Sequence, residues 1–376
     1  MSQAPLLTTT PAVADLGHAL SQHKIIAVDL EGDSMHSYQE KVCLLQFSWE
    51  GETALVDPLA GADISVLKAP LADPHICKIF HAADYDIRCL ARDFDIQING
   101  LFDTMTAAQL LGEPKVGLGD ILHKYFGLEL DKKYQRADWS ARPLSAAMLH
   151  YAAEDTRHLR ELMEILREQL QDKDRLWWAE EEFRQLEQVR FSPPTGPACL
   201  HVKGAAVLQP RQLETLEQLL QWRGVQACKR DYPVYKILPN HALLALAAAM
   251  PQTEGELNKF DAIPAKLRQR FAPAILECVA AACARPHEEL PVAPQRQRRE
   301  VDPDAEERFK QLKQWRSGKA KELELDPGIL INNNILSQIA HRMPQTCADL
   351  TGVEGMRDWQ RQVLGQELLE SVADSI

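Results

Sequence analysis

The first strongly patterned stretch of the chain is apolar at every position: Ile25-Ile26-Ala27-Val28 follows Lys24 and gives way to Asp29-Leu30-Glu31. A run without polar alternation predicts a strand covered on both faces. Further strand-like runs at residues 42–48 and 53–56 come close behind, as in a meander. Residues 63–71 read as a helix and 77–81 as another strand. The spacing of Ile87, Leu90, Ala91 and Phe94 predicts a helix, followed by a short strand near 99–102. From Ser145, a plausible N-cap after Pro143, one long helix is expected to about residue 170. Strands first and strand–helix alternation afterwards indicate an α/β sheet domain.

The pattern changes beyond residue 192. Pro193-Pro194-Thr195-Gly196-Pro197 is a turn-rich break, and 286–303 contains Pro291, Pro294 and the run Gln295-Arg296-Gln297-Arg298-Arg299. The expected organisation is therefore a catalytic domain at 1–192, a linker at 193–209, a helical domain at 210–285, a linker at 286–304 and a second helical domain at 305–376. These last two domains repeat each other at an offset of 93 residues. Trp222-Arg223 recurs as Trp315-Arg316, Asn240 as Asn333, and Met250-Pro251-Gln252-Thr253 as Met343-Pro344-Gln345-Thr346. An ungapped match over this length is a duplication, and three- and four-residue apolar steps make each copy all-helical.

Composition narrows the class. With 45% hydrophobic and 26% charged residues the chain is globular, not disordered, and no apolar run approaches the roughly 18–20 residues needed to span a bilayer. Residues 1–20 lack a basic start and a continuous apolar segment, so no secretory signal is expected and the cytoplasm is. Eight dispersed cysteines with no C-x-x-C pair argue against a zinc site or disulfide framework. Residues 1–192 carry 31 acidic and 19 basic side chains, residues 210–285 carry 7 and 10, and residues 305–376 carry 11 and 9. An acidic module beside a mildly basic one is consistent with nucleic-acid contact through the first helical copy.

The candidate chemistry lies in four carboxylates and a tyrosine: Asp29 and Glu31, Asp86, then Tyr151 with Asp155. Side chains alternate along a strand, so Asp29 and Glu31 share a face. Tyr151 and Asp155 are four apart on a helix and share one too. Carboxylates gathered at the end of a buried strand repel and raise one another's pKa unless cations neutralise them, and hard oxygen donors suit Mg²⁺ or Mn²⁺. Two such ions, about 3.5–4 Å apart, would clamp the attacking and leaving oxygens of a displacement at phosphorus.

Three blocks carry a resemblance. They are Val28-Asp29-Leu30-Glu31 followed by Tyr38 and Leu45-Gln46; His81-Ala82 with Asp86 and Leu90; and Asp138-Trp139-Ser140-Ala141-Arg142-Pro143-Leu144-Ser145 leading into Tyr151-Ala152-Ala153-Glu154-Asp155. Their order and spacing resemble the DEDD superfamily of 3′→5′ exonucleases, in its tyrosine-bearing branch and most closely the ribonuclease D group. Both helical copies look like HRDC domains. The resemblance implies a ribonuclease H-like exonuclease fold followed by two HRDC domains. It also implies that Asp29 bridges two cations, that Glu31 and Asp155 complete the site activating the water, that Asp86 holds the second ion, and that Tyr151 positions the nucleophile. The family places its aspartate five residues after the histidine of His81-Ala82, which favours Asp86 over Asp84, a residue that could simply cap the following helix.

Simpler roles compete at several positions. His150 stands where a sister branch carries a histidine, but on a helix from Ser145 it lies about 140° around from Asp155, whereas Tyr151 lies within about 40°. His81 reads as a packed or hydrogen-bonded strand-end residue, Glu154 as solvated and Asp103 as a helix N-cap. Trp139 and Arg142 could contact RNA or anchor the loop before the catalytic helix. Trp222 and Trp315 favour helix packing, and Lys229, Arg230 and Lys236 are candidates for phosphate contact.

The functional expectation is a metal-dependent 3′→5′ exoribonuclease, working as a monomer, that releases nucleoside 5′-monophosphates from structured RNA such as tRNA precursors. A 3′→5′ DNA exonuclease in repair is the alternative, and a catalytically silent RNA-binding or scaffold protein would require a missing ligand. From the charge distribution, truncation after about residue 192 is expected to keep cleavage of short single-stranded oligonucleotides while raising the KM for tRNA-like substrates, and removal of 305–376 alone to hurt less.

Overall fold

Six strands form one mixed sheet in the order β1-β4-β3-β2-β5-β6, described in a computed structural model that covers residues 4–293 and 302–373. They are β1 (Leu6–Leu7), β2 (Ile25–Gly32), β3 (Val42–Trp49), β4 (Glu52–Val56), β5 (Cys77–Phe80) and β6 (Leu101–Asp103). The expected basic run at 295–299 lies outside the described residues. Central β2 runs antiparallel to β3 and parallel to β5, and β3 is buried at every position except Trp49. The unbroken apolar runs are thus sheet interior. Helices follow on both sides, so the mixed α/β class agrees with the sequence pattern.

Three local expectations change. The single helix from Ser145 is two helices, Ala146–Arg157 and Leu159–Asp172, separated at His158, whose ψ of 2° leaves the helical range. The buried stripe passes from Ala152, Ala153 and Thr156 to Leu159, Met163 and Leu166 without a gap, so periodicity hides the bend. The first helix packs on β2, β3 and β4, the second on β2 and β5, and the bend follows the twist of the sheet. The expected helix at 63–71 is a 3₁₀ turn, Ser65–Leu67, running into Lys68–Ala72. β1 and the helix Thr10–Leu20 were not expected at all.

The chain divides into two units. One holds the sheet, its helices up to Phe191 and the second helical copy, made of Pro303–Glu322, Asn333–Arg342 and Asp358–Ala373. A single apolar core runs from β2 and β5 into Leu336, Leu364 and Leu368 of that copy. The other unit holds the first copy, made of Pro210–Cys228, Asn240–Ala249 and Ala265–Ala284, together with the β2–β3 connection Asp33–Lys41. Asp33 closes that connection, accepting from Lys41 N at 2.8 Å and Ser37 Oγ at 2.5 Å, and Tyr38 N donates to Asp231 Oδ1 at 2.9 Å.

The duplication is visible in bonds. Arg223 donates to Leu238 O and Asn240 Oδ1, both at 2.8 Å. Its counterpart Arg316 donates to Ile331 O at 2.9 Å and Asn333 Oδ1 at 3.0 Å. Met250 and Met343 both end their helices in the left-handed region, at φ 49° and 48°. Trp222 packs edge-on to Phe271 at 5.1 Å, and Trp315 Nε1 donates to Glu367 at 3.3 Å, so both tryptophans serve helix packing.

Candidate active site

β2 brings Asp29 and Glu31 to one face of the sheet, and the helix Ala146–Arg157 crosses that face. Ser145 caps the helix by accepting from Met148 N, and Thr156 Oγ1 meets Ser48 Oγ of β3 at 2.7 Å. Asp155 therefore arrives beside β2: Asp29, Glu31 and Asp155 each offer a carboxylate oxygen within 4.8 Å of the others. Asp86 stands outside that trio. It is buried on the helix Asp84–Phe94, close enough for its charge to act on Asp29 and Glu31.

The entry to that helix is held by Asp103. One of its oxygens accepts from Ala83 N at 2.6 Å, and the other caps the helix Thr104–Leu111 by accepting from Thr106 N at 2.7 Å. Ala82 is left-handed at φ 66°, which turns the chain from β5 into the helix within two residues. Thr104 Oγ1 donates to Phe80 O at 3.0 Å and so accepts from His81 Nδ1 at 2.9 Å, a structural task for the histidine. Asp84 caps nothing. It lies in the first turn of the helix, paired with Arg88 at 2.9 Å, and Ala83 occupies the N-cap.

Burial and mutual repulsion raise every carboxyl of the set. Asp29 is pushed well above the usual carboxylate range by burial and then by Asp86, and Asp86 by burial and then by Asp103. Burial, then Asp29, Asp155 and Asp86, push Glu31 up to about 10. Asp155 is pushed up to about 8 by burial, then Asp29 and Glu154. Tyr151, raised by burial and by Asp155, Glu31 and Asp29, keeps its phenolic proton at neutral pH. Ionising four such groups together is unfavourable unless a counter-charge offsets them.

An orphaned polar group stands on the same face. Gln46 of β3 is directly opposite Asp29, fully buried, and neither its Oε1 nor its Nε2 has a hydrogen-bond partner among the described residues. All-oxygen donors and an unsatisfied buried amide fit a hydrated divalent ion.

Trp139 and Arg142 anchor the loop before the helix. Trp139 is 1% exposed, and Arg142 grips Asp57 with two bonds of 2.7 Å while donating to Trp139 O and Cys43 O. Glu154 is not solvated as expected. It pairs with Arg157 and lies 3.8 Å from His150 and 3.7 Å from His158. The His150 side chain is 71% exposed. A cleft of about 350 Å³ opens beside Tyr151 and Asp155, lined also by Lys133 and Tyr134. Tyr134 sits edge-on to Tyr151 at 5.8 Å, with Lys133 Nζ 5.3 Å from its ring. This pair is not among the residues expected above; its signal in the sequence is the run Lys132-Lys133-Tyr134 just before the third block. Lys229, Arg230 and Lys236 belong to the other unit. Both lysines are exposed, and Arg230 lies 5.9 Å from the Phe271 ring.

Comparison with known proteins matches residues 6–171 to a 3′-5′ exonuclease family and residues 212–279 and 305–372 to the HRDC domain. The ribonuclease D of Acidiphilium cryptum is 32% identical over 295 residues, covering 77% of this chain and 74% of the relative. The chain belongs to the ribonuclease D family. It is accordingly a hydrolytic 3′→5′ exoribonuclease with two HRDC copies. The solved Escherichia coli RNase D, described as an exoribonuclease involved in structured RNA processing, superposes with a TM-score of 0.76 at 25% identity over 100% of this chain and 99% of its own. An exosome complex component 10 homolog of Caenorhabditis elegans is 37% identical over 256 residues, 66% of this chain; the match spans only 29% of that longer relative.

Proposed function

We propose that the protein trims 3′ extensions from structured RNA, tRNA precursors among them, one nucleotide at a time. The observation that carries this reading is the convergence of Asp29, Glu31 and Asp155, with Tyr151 and a cleft beside them. Asp29, Glu31, Asp86 and Asp155 would hold two divalent cations, Mg²⁺ or Mn²⁺. Held there, such ions would supply charge stabilisation at phosphorus and lower the pKa of a bound water. Water adds to the terminal phosphorus and the bond to the preceding 3′ oxygen breaks. A nucleoside 5′-monophosphate leaves, and the shortened RNA keeps a 3′-hydroxyl. Tyr151, protonated, orients the water through its hydroxyl. Lys229, Lys236 and Arg230 contact RNA phosphates. The cytoplasm is the proposed place of this trimming. No described helix is long and apolar enough to cross a membrane.

The test is purified protein with Mg²⁺ on 3′-extended tRNA, single-stranded RNA and single-stranded DNA of matched length. Release of 5′-monophosphates, fastest from extended tRNA, is expected; preference for DNA would move the reading to repair. Asp29→Asn should lower turnover roughly a thousandfold or more, since it removes several kcal/mol of charge stabilisation. Tyr151→Phe should cut kcat with little change in RNA binding, and His150→Ala should do little. The reverse pattern would assign the water to the histidine.

A further inference from the structure

We infer that Gln46 is a positioning residue for Asp29, its side-chain amide donating to that carboxylate when it ligates a cation; this rests on the cation-dependent reading above. Gln46 and Asp29 are a directly opposed pair on adjacent antiparallel strands, so their Cβ atoms stand roughly 4.5–5.5 Å apart on one face. The face is closed by the helix Ala146–Arg157, and Ser48, two residues along the same strand, is fastened to Thr156 of that helix. Gln46 is therefore enclosed, 0% exposed, with both amide atoms unpaired. An unpaired buried amide destabilises a fold, and an apolar side chain of similar shape would serve packing better.

The chemistry of the neighbour explains the amide. A cation-bound Asp29 carboxylate has a lone pair left to satisfy in a dry setting. An amide NH₂ supplies that donor without adding charge, where lysine or arginine would compete with the cation. Outer-shell hydrogen bonds of this kind fix the orientation of a ligating carboxylate. Gln46 would thus act through Asp29 without touching RNA.

The test uses the full chain and Gln46→Met, which keeps length and loses both polar atoms, with Gln46→Leu as a second variant. Melting is followed in EDTA, Mn²⁺ binding by calorimetry, and hydrolysis of a short RNA by kcat and KM separately. The expected result is an EDTA melting temperature equal to or above that of the unmodified protein. Mn²⁺ affinity should fall about tenfold, and kcat about tenfold with KM unchanged. Mn²⁺ affinity and kcat within twofold of the unmodified protein would overturn the inference. So would a loss of melting temperature in EDTA in both variants, which would make Gln46 a packing residue. Failure of the unmodified protein to bind Mn²⁺ is a separate outcome that would overturn the cation reading and the role of Gln46 with it.

Discussion

The two helical copies keep one scaffold and have been put to different uses. Where the second copy carries Trp359, fully buried, the first carries Lys266, exposed. Lys229, Arg230 and Lys236 of the first are Glu322, Leu323 and Ile329 in the second. The second copy joins the core of the sheet unit: Trp359 stacks on Trp178 at 4.5 Å and 10°, and its Nε1 donates to Glu182 at 3.0 Å. Glu181 accepts from the backbone N–H groups of Asp358 and Trp359 at 2.7 and 2.9 Å, capping the helix Asp358–Ala373 from a neighbouring helix. Arg175 donates to Leu323 O at 2.6 Å. At the position where the second copy meets Trp178 with a buried tryptophan, the first keeps an exposed lysine.

The sharpest way to break this contrast is at its tryptophan. Trp359→Ala should destabilise the protein by about 3–5 kcal/mol, the usual cost of emptying a buried aromatic site, and Lys266→Ala by no more than about 0.5 kcal/mol. Urea unfolding of both variants checks it, and equal effects would end the distinction. The same packing revises the truncation expected from charge alone. A chain ending near 192 leaves Trp178 and its neighbours without their cover, so it should lose stability and not merely RNA affinity.

Next in size is a pH effect confined to the sheet unit. Glu31 and Asp155 sit near 10 and 8 in the folded protein and near ordinary carboxylate values when unfolded. A folded pKa above the unfolded one means the native state binds more protons in between. In EDTA, stability should therefore rise as pH falls from about 9 toward 5. Mg²⁺ should raise the melting temperature more at pH 8 than at pH 6, because at the lower pH it competes with protons. An EDTA melting profile that falls over this range would show that the carboxylates are not held protonated.

The smallest effect belongs to the first copy. Lys229→Ala with Lys236→Ala should leave melting unchanged and raise KM for a tRNA-length substrate. The salt dependence of binding should flatten by about one unit per lysine. Unchanged KM at low salt would give this face to a protein partner.

Much of this was legible in the sequence because it depends on short periods. Alternation puts Asp29 and Glu31 on one face, and a helical step of four aligns Tyr151 with Asp155, so the geometry of the cluster follows from local rules. What escaped depends on distant partners. The two residues of β1 have no period of their own and exist because Leu55 and Val56 lie beside them. The membership of the second copy in the sheet's core rests on Trp178 meeting Trp359 from 181 residues away.

Gly112 ends the helix Thr104–Leu111 in the left-handed region, at φ 85°, and a Cβ there would lie 1.9 Å from the carbonyl oxygen of Glu324. A side chain at 112 and the docked second copy exclude each other. Glycine at 112 therefore answers two demands at once: a left-handed backbone that other residues adopt only with strain, and a carbonyl of the second copy that leaves no room for a Cβ.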